Sequence, residues 1–279
     1  WAAEIDNTRP LTRGDNAIKH NNSAINVMKS LVSTAKTSGT TGAVGANYAN
    51  GGQYDSIHRQ IPGAMLYGAE TASSVNSRGV YSRTTDNRQT ADKQLTSYDN
   101  SKVNWGATAA QAWLDVIKRD FVAGTAVWTG FDYLGEPTFW NGTSPGPQGQ
   151  WPSPKNSYFG IIDTAGFPKD SYYLYQSQWN DKVTTLHVLP AWNRSVLQNQ
   201  GNGNQKVVVY SDASAVELFF TGTDGKKKSL GKKTFAKKTT PAGYKYQLYE
   251  GSDKSSIESE NLYLSWNVQY ADGTLSAVD

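Results

Sequence analysis

The segment AMLYGAETASS, residues 64–74, begins with four apolar residues and ends with a single carboxylate, Glu70, among small side chains. A short apolar run bounded by Gly68 is typical of a buried β-strand. A carboxylate at the end of a parallel strand lies at the edge of the sheet where α/β folds bind their ligands. The segment therefore predicts a strand that delivers Glu70 to a ligand site. The alternative is an acidic residue in the first turn of a helix, where the helix dipole stabilises it.

Strand-like and helix-like segments alternate on both sides of this strand. The strand-like segments are 9–16, 42–48, 64–70 and 121–133, and the amphipathic segments are 23–36, 54–63, 107–120 and 169–181. Such alternation is typical of a parallel sheet with helical crossovers. Four such units predict either half of an eight-stranded α/β barrel or a small doubly wound sheet.

The pattern changes after residue 181, where short β-rich runs are separated by turn residues. This spacing predicts an antiparallel β-sandwich. We place the domain boundary near 181–184, with one domain at 1–181 and a second at 182–279. The final residues, TLSAVD, do not read as a last strand, and the chain opens without Met. We therefore expect a fragment with a sandwich that is truncated at its C-terminus.

Composition excludes several classes of protein. The chain has no cysteine, which excludes disulfides and thiolate chemistry. No apolar run approaches the roughly 20 residues that span a bilayer, so we expect no membrane insertion. Seven lysines fall within residues 226–238. We interpret them as a solvated hairpin or a protected sheet edge, and we expect no nucleic-acid partner.

Two strand ends beside Glu70 carry polar side chains that suit a catalytic site. Asn47 and Tyr48 close the strand at 42–48, and the Tyr48 hydroxyl could donate a hydrogen bond that keeps a nucleophilic carboxylate ionised. A strand-end aromatic residue with no chemical role is the alternative for Tyr48. The long polar segment 76–105 is expected to shape the rim of the site.

The strand at 121–133 contributes a third group of candidate residues. Trp128 could form a floor on which a sugar ring stacks, or could belong to the core. Asp132 and Glu136 are either further carboxylates of the site or turn residues. The histidines His20, His58 and His187 show no metal-ligand spacing. We therefore predict no metal site.

Several motifs occur in one order along the chain: VGANY, YDSIHRQIPGAMLYGAETASSVNSRGVY, QLTSYDNSKVNWGATAAQAW, FVAGTAVWTGFDYLGEPT and SYFGIIDTAGFPKDSYYLYQSQWND. Together they resemble the β-galactosidases of glycoside hydrolase family 2. The resemblance implies strands five to eight of a (β/α)8 TIM barrel, followed by an immunoglobulin-like β-sandwich. It implies that Glu70 is the catalytic nucleophile, that Tyr48 hydrogen-bonds to it and that galactose packs against Trp128. Asn47, Asp132 and Glu136 are then expected to bind substrate.

The resemblance also implies retaining hydrolysis of terminal β-D-galactosides through a covalent glycosyl-enzyme. The acid/base of the family is the Glu of an Asn-Glu pair, and this chain contains no Asn-Glu dipeptide. We therefore expect the chain to supply the nucleophile half of an active site and to be inactive without an N-terminal part of the same polypeptide.

The segment NSYFGIID bears on which sugar the site accepts. The β-glucuronidases of the family hold the sugar carboxylate with an Asn-x-Lys pair, whereas the corresponding segment NSYFGIID has Asn156 and no Lys. A neutral galactoside is thus better supported than a glucuronide. Another exo-glycosidase of the family (β-glucuronidase, β-mannosidase or exo-glucosaminidase) and a non-catalytic carbohydrate-binding module are the alternatives.

The expected partner is a galactoside-containing oligosaccharide or glycan. No cofactor is required for this chemistry. A structural or activating metal ion is compatible with the family, but no complete ligand set is visible in the sequence. The resemblance is to surface-attached or secreted bacterial enzymes, so we expect an extracellular or cell-surface location, with the cytoplasm as the alternative.

Overall fold

A computed structural model of the chain describes residues 1–83, 94–134 and 157–279. The α-helices in these residues are α1 (Ala2–Ile5), α2 (Asn22–Thr37), α3 (Gly51–Gln60), α4 (Ala109–Ile117) and α5 (Asp170–Trp179). The strands are β1 (Leu11–Asp15), β2 (Gly42–Asn47), β3 (Met65–Ala72), β4 (Val122–Trp128), β5 (Leu186–Leu189), β6 (Asn204–Ser211), β7 (Ala215–Gly222), β8 (Lys227–Thr239), β9 (Lys245–Tyr249), β10 (Leu264–Gln269) and β11 (Gly273–Val278). Short 3-10 helices cover Arg194–Val196, Gln198–Gly201 and Glu258–Leu262.

The first half of the chain forms a parallel sheet of four strands in the order β1-β2-β3-β4. Helices α2, α3 and α4 connect successive strands, so the predicted alternation of strands and helices is confirmed. The core between helices and sheet contains Met28 of α2, Ile57 of α3, Val44 of β2 and Leu66 of β3, each at most 2% exposed. Because all four strands run in one direction, their C-terminal ends meet at one edge of the sheet.

The second half forms two antiparallel sheets, with strand orders β10-β6-β5 and β11-β7-β8-β9. Their facing side chains share one core, which includes Val207, Val209, Leu218, Phe235 and Trp266. One face of each sheet is thus buried against the other.

One sequence interpretation of this region is wrong. Residues 273–278 form strand β11, which pairs with β7 from Gly273–Gly222 to Val278–Glu217, although no last strand was expected there. The lysine-rich segment forms the expected hairpin with β7. Within the described residues, 227–234 of β8 pair with β7 and 235–239 pair with β9, so each part of β8 has a strand on one side only.

The parallel and antiparallel regions pack on each other through a second core. Leu114 of α4 and Leu174 of α5 lie against Leu189 and Val208 of the three-stranded sheet, and all four are at most 2% exposed. The amphipathic helices α4 and α5 thus cover one face of that sheet. Tyr98, which lies between β3 and α4, belongs to the same core.

Candidate active site

A cleft of about 450 Å³ lies at the C-terminal edge of the parallel strands. Its walls come from the ends of β1 to β4 and the segments that follow them. The lining residues are Asn16, Lys19, His20, Tyr48, Glu70, Ser73, Trp105, Trp128 and Phe159. Three of the candidate residues from the sequence, Tyr48, Glu70 and Trp128, therefore share one cavity.

Two hydrogen bonds join Tyr48 and Glu70. The backbone N–H of Tyr48 donates to the Glu70 carbonyl at 2.7 Å, and the Tyr48 hydroxyl donates to Glu70 Oε2 at 2.8 Å. An irregularity in the pairing of β2 with β3 places Asn47 opposite Glu70 and so brings Tyr48 next to it. Burial raises the pKa of the Tyr48 phenol. The phenol therefore stays protonated at neutral pH and acts as a donor to the carboxylate.

The backbone around Glu70 contains three non-glycine residues with positive φ: Tyr48 at 54°, Ala72 at 63° and Ser73 at 52°. A side chain in this region crowds the following carbonyl and costs on the order of 1–3 kcal/mol per residue. Such conformations persist only where surrounding contacts hold them, and they cluster at functional sites. The backbone strain here is concentrated beside one carboxylate.

Trp128, the last residue of β4, forms another wall of the cleft and is 36% exposed. Its indole N–H donates to the Tyr133 hydroxyl at 3.3 Å, and the two rings meet edge to face with centroids 6.1 Å apart. The tryptophan is thus held by Tyr133 while it remains partly open to the cleft. This placement is compatible with the predicted stacking of a sugar, which stays a prediction.

Asp132 does not line the cleft, contrary to the expected substrate contact. Its side chain is 2% exposed and forms an ion pair of 2.7 Å with buried Lys169, and it accepts the Gly160 N–H at 2.7 Å. A carboxylate with these partners ties protein segments together. Glu136, the other acidic candidate after β4, lies outside the described residues.

Asn47 is also absent from the cleft lining. It is 6% exposed, and its Oδ1 has no hydrogen-bond partner among the described residues. The amide lies so close to Gly14 that a Cβ at residue 14 would approach Asn47 Oδ1 to 3.1 Å. The structure thus places Asn47 beside the site, inside the sheet edge, rather than on its surface.

Among the described residues that line the cleft, Glu70 is the only carboxylate. Its Oε2 is held by Tyr48, whereas Oε1 makes no hydrogen bond to any residue in the described ranges. A nucleophilic carboxylate needs this arrangement, in which a hydrogen bond orients one oxygen and the other oxygen is free to attack.

Within 1–83, 94–134 and 157–279, no group of three or more His, Cys, Asp or Glu side chains is placed to hold a metal ion. His58 stacks on Phe121 with centroids 4.0 Å apart, and His187 bonds to Asp170 at 2.7 Å. None of the helices described is long and apolar enough to cross a membrane.

Sequence reasoning missed several lining residues. Lys19 and His20 follow the end of β1, and the strand-end rule that identified Glu70 applies to that turn as well. Trp105 belongs to the long segment that was expected to shape the rim, but no local pattern distinguishes it from its neighbours. A larger cavity of about 840 Å³ adjoins the cleft and shares Lys19, Tyr48 and Trp105 with it, but Glu70 does not line it.

Comparison with known proteins gives matches along nearly the whole chain. Residues 202–278 match a family model described as a domain of unknown function, DUF4982. The sequence is 33% identical to the β-galactosidase BoGH2A of Bacteroides ovatus over 98% of this chain and 27% of that protein.

Solved structures also match nearly the whole chain. The crystal structure of a β-glycosidase from Bacteroides vulgatus superposes with a TM-score of 0.64 at 25% identity, over 98% of this chain and 31% of that one. A β-glucuronidase from Bacteroides uniformis has a TM-score of 0.57 at 17% identity, over 98% of this chain and 27% of that one, which shows a shared fold alone. The chain spans less than a third of the length of each of these proteins.

Proposed function

This chain is related to the glycosidases of glycoside hydrolase family 2, and on this premise we propose that it carries the nucleophile of a retaining β-galactosidase. The observation that supports the proposal most directly is the Tyr48–Glu70 hydrogen bond of 2.8 Å in a cleft that Trp128 also lines. A module that only binds sugar has no need for a carboxylate held by a phenol at its centre.

The proposed fold follows from the strand order. Four consecutive parallel strands, each followed by a helix, correspond to strands five to eight of a (β/α)8 barrel, whose active site lies at the C-terminal ends of its strands. The two antiparallel sheets would then be an immunoglobulin-like sandwich, with the domain boundary at residues 181–182. The described position of the cleft agrees with this assignment.

The proposed reaction has two steps. Glu70 Oε1 attacks the anomeric carbon, the bond to the leaving oxygen breaks, and an acid donates a proton to that oxygen. Water then attacks the same carbon, the acid's conjugate base takes the proton of water, and the Glu70 carboxylate is released. Retention requires the two carboxyl groups to lie about 5–5.5 Å apart. No Asn-Glu pair occurs in the sequence, so we propose that the acid/base belongs to a part of the polypeptide beyond these residues.

The proposed substrate is a terminal, non-reducing β-D-galactoside in an oligosaccharide or glycan. Two observations support it: the identity of 33% to a β-galactosidase over 98% of the chain, and the absence of Lys from the segment NSYFGIID. Asn156 of that segment lies outside the described residues. The location of the protein outside the cell stays a prediction.

The test is azide rescue in the intact polypeptide that contains this chain. Glu70→Gly should abolish hydrolysis of 2,4-dinitrophenyl β-galactoside, whose acidic leaving group needs no protonation. Added azide should enter the space left by the carboxylate and yield α-galactosyl azide, because it attacks from the face that Glu70 occupied. If azide instead yielded β-galactosyl azide, Glu70 would be the acid/base. If Glu70→Gly turned over the substrate normally and azide had no effect, Glu70 would have no catalytic role.

A matched control keeps the experiment specific. Glu258→Gly removes an exposed glutamate that pairs with Lys118 and does not line the cleft, and it should leave hydrolysis unchanged and azide without effect. The same assay with the dinitrophenyl β-glucuronide distinguishes the sugars: turnover of the glucuronide in preference to the galactoside would favour the β-glucuronidase alternative.

A further inference from the structure

The turn between β1 and α2 holds Lys19 in a fixed position. The Asp15 carboxylate accepts the backbone N–H groups of Ala17 at 2.7 Å and Ile18 at 3.0 Å, which closes a tight turn at the end of β1. Ile18 is 2% exposed and belongs to the core beneath the sheet. The residue next to Lys19 is therefore anchored by a buried side chain, and the lysine has little freedom at its Cα.

The side chain of Lys19 reaches across to the end of the neighbouring strand. Its Nζ donates to the Tyr48 carbonyl at 3.1 Å and lies 5.5 Å from the centroid of the Tyr48 ring. The amine is half-buried, and burial lowers its pKa. A partly desolvated ammonium over an aromatic face is an attractive contact of the cation–π type.

Tyr48 is thus bonded through all three of its polar groups. Its N–H and its hydroxyl donate to Glu70, while its carbonyl accepts from Lys19. The φ angle of 54° is one that a tyrosine avoids unless contacts enforce it. If Tyr48 relaxed to a negative φ, its phenol would move away from Glu70 Oε2. The contact to Lys19 holds the peptide group that follows the Tyr48 Cα, and the N–H bond to Glu70 holds the peptide group that precedes it. The two contacts together restrain the backbone angles of Tyr48.

We propose that Lys19 is a positioning residue for the nucleophile: it holds the Tyr48 backbone in its left-handed conformation, so that the phenol stays bonded to Glu70 and Oε1 stays aimed into the cleft. This inference rests on the proposed role of Glu70. It assigns to Lys19 a role through Tyr48 rather than a contact with the sugar.

The experiment measures inactivation of the intact polypeptide by 2,4-dinitrophenyl 2-deoxy-2-fluoro-β-galactoside, which forms a long-lived glycosyl-enzyme. The binding constant KI and the rate constant kinact are obtained separately, and peptide mapping identifies the labelled residue. Lys19→Met should lower kinact by about tenfold while KI changes by less than about twofold, because the interaction is needed for the chemical step. Lys19→Arg, which keeps a cationic donor, should recover most of the rate.

A double-mutant cycle tests the route through Tyr48. Tyr48→Phe removes the hydroxyl that Lys19 positions, so Lys19→Met should lower kinact little further in the Tyr48→Phe background. Additive losses would overturn the inference, as would a rise in KI at constant kinact, which would mean that Lys19 contacts the sugar. Lys29→Met on the exposed face of α2 is the matched control and should change nothing.

The outcomes separate this inference from the proposed function. If the label is found on Glu70 and Lys19→Met behaves as the wild type, the positioning role of Lys19 is wrong while the role of Glu70 stands. If the label is found on another residue, or does not form in the wild type, the proposed function itself is wrong. Thermal melting of each variant shows whether a change in kinact follows from unfolding.

Discussion

Lys169 and Asp132 form an ion pair of 2.7 Å in the interior of the protein, with side chains 1% and 2% exposed. Lys169 Nζ also donates to the carbonyls of Asn76 at 2.8 Å and Tyr158 at 3.3 Å. Desolvation by burial lowers the pKa of the lysine, and the adjacent Asp132 carboxylate acts in the opposite direction. The pair therefore joins Asn76, which follows β3, to Asp132 and Tyr158, which follow β4.

We expect Lys169→Met to destabilise the fold by about 3–5 kcal/mol, because it leaves a buried carboxylate without its counter-ion. Lys118→Met is the control: Lys118 pairs with Glu258 at the surface, and loss of such a pair costs at most about 1 kcal/mol. Urea unfolding of both variants measures the difference. The double variant Lys169→Met/Asp132→Leu should recover part of the loss, and equal losses for the two single lysine variants would contradict the prediction.

Asp99 caps α4 from a fully buried position, since its carboxylate accepts the N–H groups of Ala109 and Ala110, both at 2.8 Å. Burial raises the pKa of Asp99 from 3.8 to about 6, although the two N–H donors act in the opposite direction. Between these values the folded protein binds the proton more tightly than the unfolded chain does. The contribution of Asp99 to stability is therefore greatest at low pH and falls as the pH rises from about 4 to about 6.

Asp99→Asn removes this titration. A difference of about two pKa units corresponds to about 3 kcal/mol, so the stability of the wild type relative to Asp99→Asn should fall by up to that amount between about pH 4 and about pH 7. Urea unfolding across this range measures it, and a constant difference would contradict the prediction. Asp55→Asn is the control: its bond to Arg119 lowers the pKa of Asp55, so its stabilisation is lost only as the pH falls below 3.8. The difference between the wild type and Asp55→Asn should therefore stay constant across the measured range.

Trp128→Ala tests the stacking surface of the cleft. If galactose packs on the indole, the variant should raise KI for the fluoro-galactoside by about tenfold, which is 1.4 kcal/mol of binding free energy. Trp179→Ala is the matched control, because Trp179 is 44% exposed and packs on Trp113, outside the cleft, with centroids 5.6 Å apart. Similar KI values for both variants would reject the stacking role.

The proximity of Tyr48 and Glu70 was predictable because both lie at the C-terminal ends of neighbouring parallel strands, and such strand ends meet at one edge whatever the side chains are. The inward orientation of Asp132 and the contact of Lys19 with Tyr48 were not predictable. Asp132 turns inward because it meets Lys169, which lies 37 residues further along the chain. Lys19 reaches Tyr48 because of the turn that Asp15 closes. Local patterns predict where strands end, whereas contacts between loops decide which side chains enter the cleft.

In the antiparallel region, the lysine-rich segment 226–238 also contains a side chain whose burial the local sequence does not predict. The sequence favours a solvated hairpin or a protected sheet edge for residues 226–238, yet the side chain of Lys233 is only 9% exposed. Its neighbour in β8 is Phe235, whose side chain belongs to the core between the sheets. Because strand side chains alternate between faces, Lys233 points inward together with Phe235.

We expect Lys233→Met to cost about 2 kcal/mol, the usual range for losing hydrogen bonds to a charged group. The ammonium lies 2.5 Å from Asp253 Oδ2 and donates to the Ser265 carbonyl at 2.6 Å, and it stands 4.7 Å and 5.2 Å from the ring centroids of Tyr249 and Trp266. It thereby joins β8 to β10 of the facing sheet. Lys232→Met, one residue earlier and exposed, should change stability by less than about 0.5 kcal/mol. Urea unfolding of the two variants decides between a structural lysine and a solvated run, because a solvated run predicts equal and negligible effects.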